Sequence, residues 1–351
     1  MTDKKTYWEQ YRDFWDGFIR EWYDSCARSI AIGDGNSRYG YGNIARAYNK
    51  FFKSKNSDAR LYLEELPEPY LGTPSKKLKA VMLNLNPGMV PLETEEQGVE
   101  QQKFFSKKDA YSSGPFVSES QIKKYECQYN KKYSELMQNW SCLIPKYRRK
   151  DTDLCGVEWW QGKDPLNVGG RMEWLAQIYD KQLDNGNEPK DELEGEALIN
   201  PLEVFALEIC PFHSRQAVGT DWQALAKEPL KGFILERVVY PAIRAVADNN
   251  LPFAVAIGAP YRDLFEKVLG IIPEKEWSHK NPVDGWPRKL KNGNEVNINR
   301  TYKIYNIHDN EGGKARILVT WSQAPGNHPP KTDGFGRVEA VIREYVQTHP
   351  L

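Results

Sequence analysis

An amide, a carboxylate and an imidazole occur where apolar stretches of this sequence end. The first stretch, residues 80–85, ends at Asn86-Pro87-Gly88. Pro87 disfavours helix at Asn86, so the pattern favours a buried strand that presents Asn86 at its C-terminal end. Open α/β sheets bind ligands at that edge. The alternative is an ordinary strand-ending turn, because Asn-Pro-Gly is also common in loops.

Two later apolar stretches end in a similar way. Residues 203–209 include Glu208 and are followed by His213. Residues 316–320 lead into a polar segment that contains Trp321, Ser322, Gln323, Pro325, Gly326, Asn327 and His328. Because parallel strands end at the same edge of a sheet, we expect the three clusters to converge on one crevice.

The elements that would position these residues alternate along the chain. Strands are predicted at 80–85, 203–209, 253–257 and 316–320. Helices are predicted at about 171–182, 229–248 and 336–345, with another that passes through Leu264, Phe265 and Val268. This alternation predicts an α/β fold, namely three α/β/α layers around a four-stranded, mainly parallel sheet. Residues 292–309 are predicted to form a separate polar hairpin.

Two regions lie outside this alternation. Residues 1–66 are predicted to be an N-terminal helical extension, because aromatic residues recur at spacings of three and four over residues 6–30, a pattern more typical of a core face than of a ligand site. Residues 67–351 then form the α/β domain, with a helical insertion at about 92–165. The insertion carries the basic cluster Arg148, Arg149 and Lys150 among tyrosines, which would follow a phosphate backbone or form a solvated helical face.

Composition narrows the class of protein. Lys plus Arg and Asp plus Glu both number 48 in 351 residues, so a nucleic-acid site would have to be a local basic patch. The five cysteines form no Cys-x-x-Cys pair, which argues against a zinc or iron–sulfur site and against a disulfide scaffold. No secretory signal or long apolar run is evident, so we expect a cytoplasmic protein with no membrane partner and no metal site.

The strand-end motifs resemble those of the uracil-DNA glycosylase superfamily. Leu85-Asn86-Pro87-Gly88 is similar to the first motif of its mismatch-specific and single-strand-selective branches. Residues 205–211, Phe-Ala-Leu-Glu-Ile-Cys-Pro, resemble the second-strand motif, and 256–258 the next strand. Residues 320–329 stand where the family has its His-Pro-Ser loop. The resemblance covers roughly 79–90 and 200–345.

The resemblance implies a monofunctional DNA glycosylase with a uracil-DNA-glycosylase-like fold and no cofactor. Such an enzyme flips a nucleotide out of DNA and hydrolyses its N-glycosidic bond. Asn86 would orient the attacking water, and an imidazole such as His328 would stabilise the departing base. Asn84, Gly88, Glu208 and His213 would line the base pocket. The loop after Thr320 would bind phosphate through main-chain N–H groups.

Two departures from the family pattern indicate which base the enzyme would excise. Glu208 replaces a base-reading Asn, and a carboxylate would repel O4 of uracil but accept a hydrogen bond from N4 of cytosine. Gly88 replaces a bulky Tyr and leaves the C5 side open. Together they predict a 5-substituted cytosine, such as the hydroxymethylated or glucosylated base of phage DNA. Alternatively, Glu208 is protonated, or it forms a structural ion pair with Arg215.

Two further departures concern the family histidine and the first strand. Trp321 stands in the place of the histidine, and His328, seven residues later, either swings back or only caps a surface loop. Asn84 replaces a Gly and would crowd or hydrogen-bond the base.

The sequence is therefore compatible with several functions. The first is excision of a modified pyrimidine in antiviral defence, with DNA as the partner. The others are a catalytically silent protein that binds a modified or single-stranded base, a uracil or mismatch repair glycosylase, and a hydrolase of small nucleotides. Trp321 favours the binder, whereas Asn86 favours the enzyme.

Overall fold

The chain divides into two compact units that interleave along the sequence. The computed structural model describes residues 5–26, 37–53, 61–62, 67–74, 77–85, 178–179, 203–214, 225–280, 288–289, 295–296, 299–322 and 336–351. The first unit comprises Met1–Thr73, Asn86–Gly156 and Glu208–Arg237, and the second comprises Pro74–Leu85, Val157–Leu207 and Val238–Leu351. The whole insertion predicted at about 92–165, including Arg148, Arg149 and Lys150, lies outside the described residues.

The first unit contains the N-terminal helices and short strands. Its elements are α1 (Tyr7–Cys26), α2 (Tyr41–Lys53), β1 (Leu61–Tyr62), β2 (Tyr70–Leu71), β5 (His213–Ser214) and α3 (Leu230–Ile234). Thr6 and Glu9 form a capping box at the start of α1, since each main-chain N–H donates to the other's side chain. The Glu21 carboxylate accepts the N–H groups of Tyr39 and Tyr41 and so satisfies donors at the start of α2.

The aromatic face of α1 forms the core of the first unit, as its spacing predicts. Trp15 and Phe18 are buried, and their rings meet Phe233 at centroid distances of 5.6 and 5.9 Å. Phe212 packs against Tyr48 of α2 at 5.9 Å. The N-terminal helices therefore bury their apolar surface against residues that are some 200 positions away in the sequence.

The second unit contains a mixed sheet with helices. Its elements are β3 (Ala80–Asn84), β4 (Val204–Glu208, of which the last residue belongs to the first unit), α4 (Tyr240–Asp248), β6 (Ala254–Ile257), α5 (Ala259–Asp263), β7 (Lys275–Lys280), β8 (Arg288–Lys289), β9 (Glu295–Val296), β10 (Asn299–His308), β11 (Lys314–Ser322) and α6 (Gly336–Thr348). Two π-helical turns, Leu235–Val239 and Leu264–Val268, precede α4 and follow α5.

Six strands of the second unit are hydrogen-bonded in the order β4-β3-β6-β11-β10-β7. β3 and β11 both pair with β6 in parallel, whereas β10 pairs antiparallel with β11 and with β7. The α/β class is thus confirmed. The sheet is larger than the predicted four strands, because residues 299–308 form a long strand inside it instead of half of a separate hairpin.

One carboxylate, on the residue directly before β7, connects β11 and α6. Glu274 accepts two hydrogen bonds from the buried Arg316 guanidinium, at 2.9 and 2.7 Å, and one from the Tyr345 hydroxyl at 3.0 Å. Partial burial raises the pKa of the Glu274 carboxyl, but the hydrogen bonds from these donors lower it by more. The pKa therefore lies below the usual value. Bidentate charged hydrogen bonds of this kind are strong.

None of the described helices is long and apolar enough to cross a membrane.

We expect Glu274→Gln to lower the free energy of unfolding at neutral pH by about 1–3 kcal/mol, because the substitution removes charge-assisted hydrogen bonds to Arg316. The folded pKa of Glu274 is depressed, so its stabilisation is present above the unfolded pKa and is lost as the pH falls through the folded value. Denaturant titrations of both proteins at neutral and acidic pH should therefore converge in acid.

Glu311→Gln is the matched control, since Glu311 pairs with Arg244 at an exposed site. Its effect should stay below about 1 kcal/mol. An equal loss in both variants would contradict a special role for the buried pair.

Candidate functional site

Three parallel strands of the second unit end at one edge. The register aligns Leu83 of β3 with Ala256 of β6, and Ile257 of β6 with Thr320 of β11. The edge therefore collects the ends of β3, β6 and β11, namely Asn84, Ile257 and Ser322. All residues of β3 and β6 are buried, as expected for central parallel strands covered on both faces.

Gly258, directly after β6, contacts the residues at the ends of β11 and β3. Its N–H donates to the Thr320 carbonyl at 2.8 Å, and its φ of +122° lies in a region that L side chains rarely adopt. A Cβ at this position would meet Leu85 Cδ1 at 3.1 Å and Pro260 Cδ at 3.2 Å. Glycine is therefore needed for the close approach of Leu85, the last described residue before Asn86.

Tyr261 holds the end of β3 from the helical side. The Tyr261 side chain is buried in α5, and its hydroxyl donates to the main-chain carbonyl of Asn84. Asn84 itself is 5% exposed. The backbone that leads to Asn86 is therefore fixed by a strand, a packed glycine and a tyrosine hydrogen bond.

Trp321 lies on the strand β11, not in the loop after it as the sequence predicts. It pairs with Thr301, because β10 continues far enough to extend β11 to Ser322. Its indole ring is half-buried, with the Arg262 guanidinium carbon 5.1 Å and Lys303 Nζ 6.0 Å from the ring centroid. The sheet thus orients Trp321 among cationic side chains.

Carboxylates hold both cations. Arg262 donates to Asp263 Oδ1 through Nε and Nη2, at 2.9 and 2.7 Å. Lys303 contacts Glu266 at 2.8 Å and Glu276 at 3.1 Å. Partial burial lowers the pKa of Lys303, but the two carboxylates raise it by more. The pKa therefore lies above the usual value, and the amine stays charged.

Glu208 is the last residue of β4 and lies in the first unit. It is 5% exposed, and its N–H donates to the Pro69 carbonyl at 2.9 Å. Nearby, burial raises the pKa of the Cys210 thiol, and the Glu208 charge raises it further. Cys210 is therefore a neutral, buried thiol and not a nucleophile.

The remaining predicted site residues are placed only in part. His213 pairs with Tyr62 between β5 and β1, and Ser322 ends β11. Besides Arg148, Arg149 and Lys150, seven more predicted site residues lie outside the described residues, as does Arg215: Asn86, Gly88, Gln323, Pro325, Gly326, Asn327 and His328. The described residues contain no group of three His, Cys, Asp or Glu side chains that could hold a metal ion.

Sequence reasoning missed Tyr261, Arg262 and Lys303. Tyr261 and Arg262 directly follow Gly258-Ala259-Pro260, so their position after a strand end is a usable signal. Lys303 gave no such signal, because its strand resembles a polar hairpin and its place beside β11 depends on long-range pairing.

No known protein family, curated protein or solved structure matches this chain.

We expect Gly258→Ala to lower the free energy of unfolding by about 1–3 kcal/mol, because alanine is strained at this φ and crowds Leu85. Thermal or denaturant unfolding would measure the loss. Gly42→Ala in α2 is the control, since its Cβ would meet nothing closer than the Arg46 guanidinium at 3.7 Å. That change should leave stability unchanged or raise it by about 0.5–1 kcal/mol. Equal stability of Gly258→Ala and the parent protein would contradict the proposed constraint.

Proposed function

We propose that this protein is a DNA glycosylase that excises a 5-substituted cytosine from DNA. The observation that supports this most is the shared edge of β3, β6 and β11, where the chain passes from Asn84 and Leu85 into Asn86. Ligands of open α/β sheets bind at such edges. An Asn two residues after the end of a buried strand is suited to hold a water molecule against a sugar carbon.

The reaction requires few chemical groups. The water oxygen bonds to C1′ of the deoxyribose, the C1′–N1 bond breaks, and its electron pair leaves with the base. One water proton ends on the departing base, so atoms and charge balance. Asn86 orients the water through its amide, and His328 donates a hydrogen bond to the departing base. These roles come from the family resemblance and from the chemistry of the side chains.

Glu208 is the proposed reader of the base. Its carboxylate accepts a hydrogen bond from the N4 amino group of cytosine, a contact that uracil and thymine do not offer. The burial of Glu208 supports this role, because a hydrogen bond made out of contact with water discriminates more strongly. Gly88 leaves room for a substituent at C5, and Asn84 and His213 are further proposed members of the pocket.

A second candidate function is recognition of a modified base without cleavage. Trp321 stands where the glycosylases that the motifs resemble have their histidine, and its ring lies beside Arg262 and Lys303. Tryptophan beside cations favours stacking of a base over proton transfer. Such a protein would bind the same DNA and release no base.

The test is incubation of the full chain with oligonucleotides that contain cytosine, uracil, thymine, hydroxymethylcytosine or glucosylated hydroxymethylcytosine, followed by alkaline cleavage of abasic sites. We expect strand breaks at a 5-substituted cytosine. Asn86→Ala should lower the rate by about 10²–10⁴-fold, because the water loses its orienting group. Glu208→Asn should shift preference toward uracil, and a carboxylate contact is worth about 1–3 kcal/mol of discrimination.

Glu236→Asn is the control for Glu208→Asn, because it removes an exposed carboxylate of the same unit. Circular dichroism of each variant checks folding. Absence of strand breaks on every substrate would refute the enzyme, and tight binding without breaks would favour the second candidate. An unchanged base preference in Glu208→Asn would remove Glu208 as the reader.

A further inference from the structure

Trp321, Arg262 and Lys303 form a cationic aromatic cluster on one face of the sheet. Trp321 on β11 pairs with Thr301 on β10, so Lys303, two residues further along β10, lies diagonally beside it on the same face. Arg262 reaches the ring from α5, which begins directly after β6. The cluster therefore combines residues from two neighbouring strands and from the helix at the candidate site edge.

The cluster differs from a core contact in its chemistry. A buried indole is normally surrounded by apolar side chains, whereas this half-buried ring has a guanidinium at 5.1 Å and an ammonium at 6.0 Å from its centroid. Asp263, Glu266 and Glu276 hold these cations in place. A side chain held in this way loses little further conformational entropy when a ligand binds.

Arg262 keeps hydrogen-bonding capacity within this arrangement. Its guanidinium has five N–H donors, and Asp263 accepts two of them. The side chain is 29% exposed, so a ligand can reach the others. A guanidinium that lies over an aromatic ring offers both a planar surface for a base and donors for a phosphate oxygen.

We infer that Trp321 and Arg262 form a nucleotide subsite for the DNA strand next to the excised base. A neighbouring base stacks on the Trp321–Arg262 pair, and Arg262 binds the phosphate of that nucleotide. Lys303, whose ammonium lies over the same ring at 6.0 Å from its centroid, adds positive potential. This inference rests on the proposed function for its ligand, since the same chemistry would also accept a free nucleotide.

The test is binding of a fluorescein-labelled single-stranded oligothymidylate to the full chain, followed by fluorescence anisotropy over a series of salt concentrations. Thymine offers no N4 amino group, so this probe reports binding separately from excision. Trp321→Ala should weaken binding about five- to hundredfold, and Trp321→Phe should weaken it less, because phenylalanine retains a smaller stacking surface.

Arg262 variants separate charge from stacking. Arg262→Gln should weaken binding and reduce the salt slope by about 0.7, the contribution of one phosphate contact in single-stranded DNA. Arg262→Lys should keep that slope but still bind more weakly, because lysine has no planar group.

Two control variants match the chemistry elsewhere in the same unit. Arg244 is 26% exposed and pairs with Glu311, much as Arg262 pairs with Asp263. Trp277 on β7 pairs with Tyr302, the neighbour of Lys303, so it lies on the opposite face of the sheet. Arg244→Gln and Trp277→Ala should bind the oligonucleotide as the parent protein does.

The possible outcomes are distinct. Parent-like binding by Trp321→Ala, or equal losses in the two controls, would overturn the subsite. Unlabelled thymidine monophosphate and unlabelled oligothymidylate should also be compared as competitors, with both concentrations counted in nucleotides. If the monophosphate displaces the probe at the lower concentration, the assignment of the subsite to DNA is overturned. Binding that depends on Trp321, without excision of any base, would support the subsite while refuting the glycosylase. Excision of a base, together with binding that does not depend on Trp321, would support the glycosylase while refuting the subsite.

Discussion

The parallel alignment of β3, β6 and β11 is the constraint on which the candidate site depends. Neighbouring parallel strands end at the same edge of a sheet. Their terminal residues therefore lie close together there, however far apart they are in the sequence. Two hydrogen bonds strengthen this alignment: the Gly258 N–H donates to the Thr320 carbonyl, and the Tyr261 hydroxyl donates to the Asn84 carbonyl. The backbone up to Leu85 is therefore held in place, as the proposed water-positioning role of Asn86 requires.

The antiparallel strands beyond β11 add a second feature to that edge. β10 extends β11 to Ser322 and brings Lys303 beside Trp321. Glu274, directly before β7, binds Arg316 and Tyr345 and so joins β11 to α6. These contacts are polar and charged, in contrast to the apolar centre of the sheet. An apolar centre beside a polar flank suits the proposed catalytic edge and the proposed adjoining surface for DNA.

The first unit depends on a different kind of packing. The aromatic face of α1 meets α2, Phe212 and Phe233, and Tyr48 donates its hydroxyl proton to the Ile209 carbonyl. These contacts surround the segment that follows Glu208. The N-terminal helices thus stabilise the part of the chain that carries the proposed base reader, so their aromatic face serves the core of this unit.

The sequence alone determined the features that depend on local pattern. Periodicity and turn chemistry predict the aromatic face of α1, the buried run of β3 and the helix that ends at Asp248. They also predict that Asn84 and Glu208 lie near the ends of strands. Tertiary structure alone decided that residues 299–308 join the main sheet, that Trp321 lies on a strand, and that Arg262 and Lys303 flank its ring. Those outcomes depend on which strands pair across long sequence separations, and a polar alternating segment has the same local pattern whether it forms an isolated hairpin or a strand inside a larger sheet.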